Sequence, residues 1–320
     1  MTAAGSLVPI ISTIQLRRIL YATDFSEGAR RVFPLVTAIA RHYHAQLFAV
    51  HVCPPPDIPG APEVISALER QHESEAASEM AKLLRLTNSL QLSAKALVKT
   101  GDPVQELDRI VHDENIDLAV LSTHGRVGLR RLVMGSVAEA LFRRLSCPVL
   151  SAGPFLSRQF SQPVEIRNIL FPTDLSEESR AVFPYLVSLA HEYGAGITVL
   201  HVLPPETARN PEAELLAEPL RREMMHMFSS EISSRCKTRF VIEAGDAAER
   251  ILARAGEADL IGLGIRKASE ITTHFRSTVT YRVLLNAGCP VLTYRLQRPW
   301  SVIMGRQEVS FASLEPSVGQ

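Results

Sequence analysis

The sequence has few cysteines and no long apolar run. Its four cysteines include no CxxC pair, so neither a cysteine-rich zinc site nor a disulfide framework is expected. Widely spaced cysteines of this kind are typical of buried thiols in a reducing compartment. No apolar run approaches the roughly 18 residues that a membrane-spanning helix needs. Arg17 and Arg18 follow a mildly apolar N-terminus, which is the wrong order for a secretory signal. We therefore expect a cytoplasmic protein with no membrane partner.

The sequence also lacks a net charge and the familiar catalytic motifs. Its 34 basic residues balance 34 acidic ones, which argues against a protein that holds nucleic acid through bulk electrostatics. Walker A, GxSxG and HExxH patterns are absent from the chain. The sequence therefore predicts no catalytic residue and no metal-ligating set.

The chain repeats itself. A shift of 150 positions places residues 19–55 on residues 169–205 with 17 identities in 37 positions, whereas chance gives about two or three. Further along, Gly101-Asp102 aligns with Gly245-Asp246. The offset between the two copies thus changes along the chain, which is expected where loops have lost residues.

A length of 320 residues also suggests two domains at about 150 residues each. We predict two copies of one domain, spanning residues 1–153 and 154–296, followed by a C-terminal tail at 297–320.

Each copy alternates apolar runs with helical patterns. The order βαβαβαβαβ predicts an α/β fold, in which each copy is a doubly wound, five-stranded parallel sheet. Pro34 and Pro184 lie inside the first helix of each copy and are expected to kink that helix or to mark its true start. In the first copy we predict strands at 18–23, 47–52, 94–99, 117–123 and 148–152, and a long helix at 62–88.

The loop after the fourth strand is the candidate for chemistry. It contains Gly125 and Gly135, which let a backbone approach a ligand closely, and Ser136, which could cap the following helix. A helix N-terminus with free backbone N–H groups binds phosphate. The alternative is that these glycines only make turns.

Several motifs together resemble a universal stress protein domain. They are Thr23-Asp24, His51-Val52, Thr-His-Gly125 with nine residues before Gly135-Ser136, and the ending Cys147-Pro148-Val149. The resemblance covers both copies and implies an adenine-nucleotide alpha-hydrolase-like, Rossmann-like fold. It also implies a nucleotide site formed by Ala22, Thr23, Asp24, Val52, Leu121, Ser122, His124, Gly125, Arg126, Gly135, Ser136 and Val137.

By this resemblance, Asp24 lies near the ribose or adenine, Val52 lines the adenine pocket, and the loop glycines with Ser136 and Val137 hold the phosphates. The family pattern begins with a glycine where this chain has Ser122. The implied ligand is ATP, with or without Mg²⁺.

The second copy departs from the pattern. Gly264 supplies the first glycine, but Lys267 and Ser277 replace the second and third. A Cβ at those two positions obstructs a backbone cradle. We therefore expect nucleotide binding mainly in the N-terminal copy, with one nucleotide per chain.

Three functions remain open from the sequence. The first is a nucleotide-responsive stress protein that acts on unidentified protein partners. The second is an interaction or scaffold protein that keeps the fold and binds no nucleotide, and the third is a slow ATPase. His51 is expected to be a packing histidine, because no second ligand-type residue accompanies it.

The last strand of each copy is predicted to lie at a sheet edge, and exposed edges invite pairing. A linker of about 14 residues keeps the copies at high local concentration. We predict an intrachain pseudo-dimer in which residues 148–152 and 290–294 lie side by side and bury Val149 and Val291. Further assembly into a homo-oligomer stays open.

Overall fold

The computed structural model describes residues 14–56, 59–124, 133–156, 165–209, 213–227, 236–265 and 278–296. The first copy forms β1 (Arg18–Ala22), α1 (Glu27–His42), β2 (Gln46–Cys53), α2 (Pro62–Ser89), β3 (Ala94–Thr100), α3 (Pro103–Asp113), β4 (Leu118–Ser122), α4 (Ser136–Arg144) and β5 (Val149–Ala152). The second copy forms β6 (Asn168–Pro172), α5 (Glu177–Arg180), α6 (Phe183–Tyr193), β7 (Gly196–Leu203), α7 (Ala213–Met227), β8 (Thr238–Ala244), α8 (Ala247–Ala255), β9 (Leu260–Ile265), α9 (Val279–Asn286) and β10 (Val291–Arg295).

The repeated Gly-Asp pair is a turn followed by a helix cap. Gly101 and Gly245 have φ values of 142° and 146°, a region that side chains with a Cβ rarely enter. Asp102 and Asp246 then accept hydrogen bonds from backbone N–H groups three residues later, at 2.8 and 2.9 Å. The pair is therefore repeated because both copies need the same tight entry into the helix after their third strand.

The two copies treat the repeated proline differently. Pro34 lies inside α1, which runs through it without interruption. In the second copy the helix breaks after Arg180 and restarts at Phe183, with Pro184 in its first turn. Proline is well tolerated in a first turn because its missing N–H has no intrahelical partner there. The predicted new start is thus confirmed for Pro184 and not for Pro34.

Each copy contributes a five-stranded parallel sheet, as predicted, and the two sheets join into one. The strand order is β3-β2-β1-β4-β5-β10-β9-β6-β7-β8, a single ten-stranded sheet. All neighbours are parallel except β5 and β10, which pair antiparallel. The predicted side-by-side contact of the last strands is confirmed, and Val149 and Val291 are both buried beneath it.

The β5–β10 register gives the molecule an approximate twofold axis. Leu150 faces Leu292, which occupies the equivalent position of the second copy. On either side, the Ser151 hydroxyl donates to the Val291 carbonyl at 3.4 Å, and the Thr293 hydroxyl donates to the Val149 carbonyl at 3.1 Å. Equivalent residues therefore make equivalent contacts across the axis.

The core consists of two apolar layers, one on each face of the sheet. One layer contains side chains from α1, α2, α6 and α7, and the other contains side chains from α3, α4, α8 and α9. Each layer includes residues of both copies. The copies thus share their cores rather than touching only at an edge.

None of the helices in the described part of the chain is both long and apolar enough to cross a membrane. All four cysteines are buried, and none of them is in a disulfide.

Candidate functional site

Three residues of the predicted set, Ala22, Val52 and Ser122, lie at or next to the carboxyl ends of β1, β2 and β4. In the first copy, β2 and β3 lie on one side of β1. The strands β4 and β5 lie on its other side. The strand order therefore reverses between β1 and β4. Ligands of open parallel sheets bind at such a switch point, beyond the carboxyl ends of the strands.

A tight turn follows β1. The Thr23 hydroxyl accepts a hydrogen bond from the Phe25 N–H at 3.0 Å, and an Asp24 carboxylate oxygen accepts one from the Ser26 N–H at 3.0 Å. Phe25 has φ of 60°, which is uncommon for a residue with a side chain. These bonds place the half-buried Asp24 at the mouth of the crevice.

The second copy builds the same turn. Leu175 has φ of 65°, and the Asp174 carboxylate accepts from the Ser176 N–H at 3.1 Å. Asp24 therefore has a structural role in the turn that its counterpart shares. That role uses one carboxylate oxygen for the turn bond.

His51 is a packing histidine, as predicted. Its Nδ1 lies 2.7 Å from the Thr23 carbonyl oxygen, and its ring packs on Phe25 with 4.5 Å between centroids. His201 repeats the contact with Thr173 at 2.8 Å. Both histidines fasten the end of the second strand to the turn after the first.

A backbone hydrogen bond joins the two ends of the loop after β4. The Gly135 N–H donates to the Thr123 carbonyl at 3.0 Å. Residues 125–132 lie outside the described part of the chain. This bond brings His124, at the start of the loop, next to the N-terminus of α4, at its end.

His124 is buried and has one unsatisfied nitrogen. Its Nδ1 lies 2.8 Å from the Thr123 hydroxyl. Its Nε2 is buried and has no hydrogen-bond partner within the described residues. Burial lowers the pKa of this imidazole below its ordinary value. His124 is consequently neutral near pH 7, and the described residues leave its Nε2 without a hydrogen-bond partner.

The N-terminus of α4 has no side-chain cap. The helix begins at Ser136, so the N-cap is Gly135, which has no side chain to accept the first N–H groups. The sequence-based expectation that Ser136 caps this helix is therefore wrong, because Ser136 is already the first helical residue. Ser136 and Val137 are exposed there, so the N–H groups of the first turn face an open surface.

Gly135 does not need to be glycine for its own conformation. Its φ of −62° and ψ of 141° are ordinary extended values that any residue adopts. Asparagine, aspartate and serine are better N-caps than glycine. Neither the backbone conformation nor the capping of α4 therefore requires a glycine at this position.

The equivalent helix of the second copy caps itself. Thr278 is the N-cap of α9, and its hydroxyl accepts a hydrogen bond from the Tyr281 N–H at 3.2 Å. One N–H group of that first turn is thus already satisfied. The two copies thus differ in how the N-terminus of this helix is capped.

Ser122, where the family pattern has a glycine, is directed at α1. Its hydroxyl donates to the His124 carbonyl at 3.0 Å, and an added Cβ on Gly28 would lie 2.4 Å from that hydroxyl oxygen. In the second copy the small residue is Gly264, whose added Cβ would lie 1.9 Å from the Glu178 carbonyl oxygen. The first glycine of the pattern thus serves helix packing in the second copy.

The structure brings most of the predicted set to one edge of the sheet. Ala22 ends β1, while Val52 and Leu121 have side chains buried in a core layer. Gly125 and Arg126, and the Lys267 and Ser277 of the second copy, lie outside the described residues.

Two residues that contact the candidate site, Gly28 and Tyr281, were not identified from the sequence. The repeat alignment contained a signal for the first, since it pairs Gly28 with Glu178.

Within the described ranges, no group of three or more histidine, cysteine, aspartate or glutamate side chains is placed to hold a metal ion.

The repeat matches a known family. A model of the "Universal stress protein family" matches residues 15–152 and again residues 165–295. A universal stress protein of Thermus aquaticus is 32% identical over 135 residues, which cover 42% of this chain and 96% of that protein. The relative thus corresponds to one copy.

Solved structures show the same architecture. A universal stress protein from Archaeoglobus fulgidus covers 88% of this chain and 99% of its own, with a TM-score of 0.67 and 17% identity. At that identity the likeness shows the fold alone. A further universal stress protein, solved in complex with cAMP, is 18% identical over 43% of this chain, with a TM-score of 0.34.

Proposed function

This chain belongs to the universal stress protein family, and from that premise we propose that its first copy binds one adenine nucleotide, ATP with or without Mg²⁺, and acts as a nucleotide-responsive stress regulator. The observation that carries the proposal is the uncapped N-terminus of α4 at Gly135. Backbone N–H groups and the helix dipole together favour an anion at such an end.

Two further contacts support a phosphate at this place. The Gly135–Thr123 hydrogen bond brings His124, which follows Thr123 in the chain, close to the helix end, and its buried Nε2 has no hydrogen-bond partner within the described residues. In its Nε2–H tautomer the neutral imidazole donates to an anion without adding charge. The exposed Val137 follows in the first turn, so the approach to these groups stays open.

The crevice between β1 and β4 supplies the other half of the proposed site. Asp24 stands at its mouth, and one carboxylate oxygen is engaged by the Ser26 N–H. A carboxylate in this position is suited to accept hydrogen bonds from ribose hydroxyls. Val52, whose strand ends beside this turn, is proposed to lie against the base.

The second copy favours a different role. Thr278 already satisfies part of the α9 N-terminus, and Gly264 is packed against α5. We propose that this copy binds no nucleotide and works as an interaction or scaffold unit. The division into residues 1–153 and 154–296, with a tail at 297–320, is part of the same proposal.

The free, buried cysteines support a reducing compartment such as the cytoplasm as the site of action.

The test exchanges the caps of the two copies. Gly135→Thr gives α4 the cap that α9 has, and Thr278→Gly gives α9 the cap of α4. We expect wild type to bind one ATP per chain in equilibrium dialysis, with GTP and cAMP as comparison ligands. Gly135→Thr should lose binding and remain as stable as wild type, because a threonine cap differs from a glycine cap by only a few tenths of a kcal/mol.

Thr278→Gly should keep the stoichiometry of one. Two nucleotides per chain in wild type, or unchanged binding by Gly135→Thr, would overturn the assignment of the site. No binding of any of the three ligands would favour the nucleotide-independent alternative for the whole chain.

A further inference from the structure

The two copies touch at the edge of the proposed phosphate site. Tyr281, in the first turn of α9, accepts a hydrogen bond from the Met134 N–H at 3.4 Å through its hydroxyl. Both residues are buried, and they are 147 positions apart in the sequence. The contact therefore passes from the second copy to the first.

Met134 directly precedes the uncapped end of α4. Its N–H is bound by Tyr281, and the next N–H along the chain, that of Gly135, is bound by the Thr123 carbonyl. Two consecutive N–H groups are thus held by two partners, one from each copy. Together they set the position and direction of the backbone where the helix begins.

The second copy holds Tyr281 in place through its own cap. The Thr278 hydroxyl accepts the Tyr281 N–H at 3.2 Å, and the Tyr281 ring lies in a core layer shared by both copies. The equivalent first-copy residue is Glu139, so the tyrosine is present in the second copy only.

We propose that Tyr281 is a positioning residue for the nucleotide site of the first copy, so that the second copy serves as a fixed support for the phosphate-binding end of α4. This inference rests on the proposed function. Positioning through a neighbouring group affects the ligand part that the positioned backbone touches.

The experiment compares Tyr281→Phe with Tyr185→Phe in the full chain. Tyr185 is another tyrosine of the second copy, and its ring packs on the Tyr294 ring with 5.1 Å between centroids. Both variants lose one hydroxyl and keep the ring. The readouts are amide hydrogen exchange at Met134 without ligand, and the affinities for ATP and for adenosine.

Tyr281→Phe should speed Met134 exchange and weaken ATP binding, each by about three- to tenfold, the equivalent of one hydrogen bond. Adenosine, which has no phosphate, should bind as it does to wild type. Tyr185→Phe should change none of the three readouts.

Unchanged Met134 exchange in Tyr281→Phe would overturn the inference, and so would an equal loss of ATP and adenosine affinity. If wild type binds no ATP, the proposed nucleotide function fails. The exchange measurement still decides in that case whether Tyr281 positions Met134.

Discussion

At the scale of single residues, both copies need one glycine where their first helix meets their fourth strand, but the glycine lies on the helix in the first copy and on the strand in the second. In the first copy Gly28 leaves room for the Ser122 hydroxyl, and in the second Gly264 leaves room for the backbone at Glu178. Each copy therefore has one glycine in this contact, on opposite sides. Ser122 departs from the family pattern because Gly28 makes the departure possible.

Gly28→Ala is expected to lower the free energy of unfolding by about 1–3 kcal/mol, because the new Cβ meets the Ser122 hydroxyl at 2.4 Å. Ser122→Gly removes the obstacle, so the double variant should regain most of the loss. Urea unfolding of wild type, both single variants and the double variant measures the coupling. Strictly additive effects would show that the two positions do not share this space.

Gly264→Ala is the matched variant in the second copy. Its Cβ would meet a backbone oxygen at 1.9 Å, and no side-chain replacement can move that atom. It should therefore destabilise the protein more than Gly28→Ala does. A smaller loss of unfolding free energy for Gly264→Ala than for Gly28→Ala would mean that α5 moves easily to make room for the new Cβ.

His124 gives the stability a pH dependence of predictable sign. Burial lowers its pKa in the folded protein, so the unfolded chain takes up the proton first as the pH falls through about 6.5. Wild type should thus lose stability relative to His124→Gln between pH 7.5 and 5.5, by at most about 1.4 kcal/mol per pH unit. A pH-independent difference between the two proteins would show that the imidazole titrates normally.

At the scale of helices and strands, the two repeated prolines are a natural comparison. Pro34 lies in the middle of a continuous helix, where it has no N–H to donate to the preceding turn. Pro184 lies in a first turn, where that N–H has no intrahelical partner. An interior proline costs up to about 3 kcal/mol relative to alanine. Only the first copy therefore bears the free-energy cost of an interior proline.

Pro34→Ala should raise the free energy of unfolding by about 1–3 kcal/mol, and Pro184→Ala should change it by less than about 0.5 kcal/mol. Thermal unfolding of both variants beside wild type is the measurement. Equal effects at the two positions would mean that the break before α6 is not what accommodates Pro184.

The element order and the pairing of the copies were predictable because they depend on local patterns. Apolar runs closed by Asp24 and by Pro54-Pro55-Pro56 indicated the first two strands, and the internal repeat indicated the second copy. The cap of α4 was misassigned, because the choice between Gly135 and Ser136 depends on where the first helical φ and ψ occur. The Tyr281–Met134 contact joins residues 147 positions apart, and no local pattern contains it.

At the scale of the whole molecule, the copies are complementary rather than identical where they face each other. His42 and Glu192 occupy equivalent positions of the repeat and meet across the axis, with His42 Nε2 3.4 Å from Glu192 Oε2. The His42 ring also stacks on Tyr193, with 4.5 Å between centroids. Two identical copies would place histidine against histidine or glutamate against glutamate. The difference favours pairing within one chain over pairing of like copies.

Contacts at the far ends of the chain reinforce this pairing. The Ile14 N–H donates to the Ser188 hydroxyl at 3.0 Å, so the segment before β1 lies on the second copy. The Arg295 guanidinium donates to the Arg144 carbonyl at 3.0 Å, at the C-terminus of α4, where a cation is favoured. Each copy thus sends a terminal segment onto the other.

Shared core layers predict that the two copies unfold together. Because each layer contains side chains of both copies, opening one copy exposes apolar surface of the other, and the free energy of that surface couples them. The buried free cysteines report this directly. Cys53 and Cys147 belong to the first copy, and Cys236 and Cys289 belong to the second. In wild type all four should become reactive to a thiol reagent at the same urea concentration.

Leu292→Lys should uncouple the unfolding of the two copies. It places an ammonium group on the axis opposite the buried Leu150, at a cost of several kcal/mol for an unpaired buried charge. The cysteines of the two copies should then react at different urea concentrations, which pulsed labelling with mass spectrometry resolves. The control is Leu86→Lys on the exposed side of α2, where the leucine is 49% exposed, and it should leave the four midpoints together. Separate midpoints already in wild type would contradict a shared core, since the copies would then be stable independently of the strand pairing that joins them.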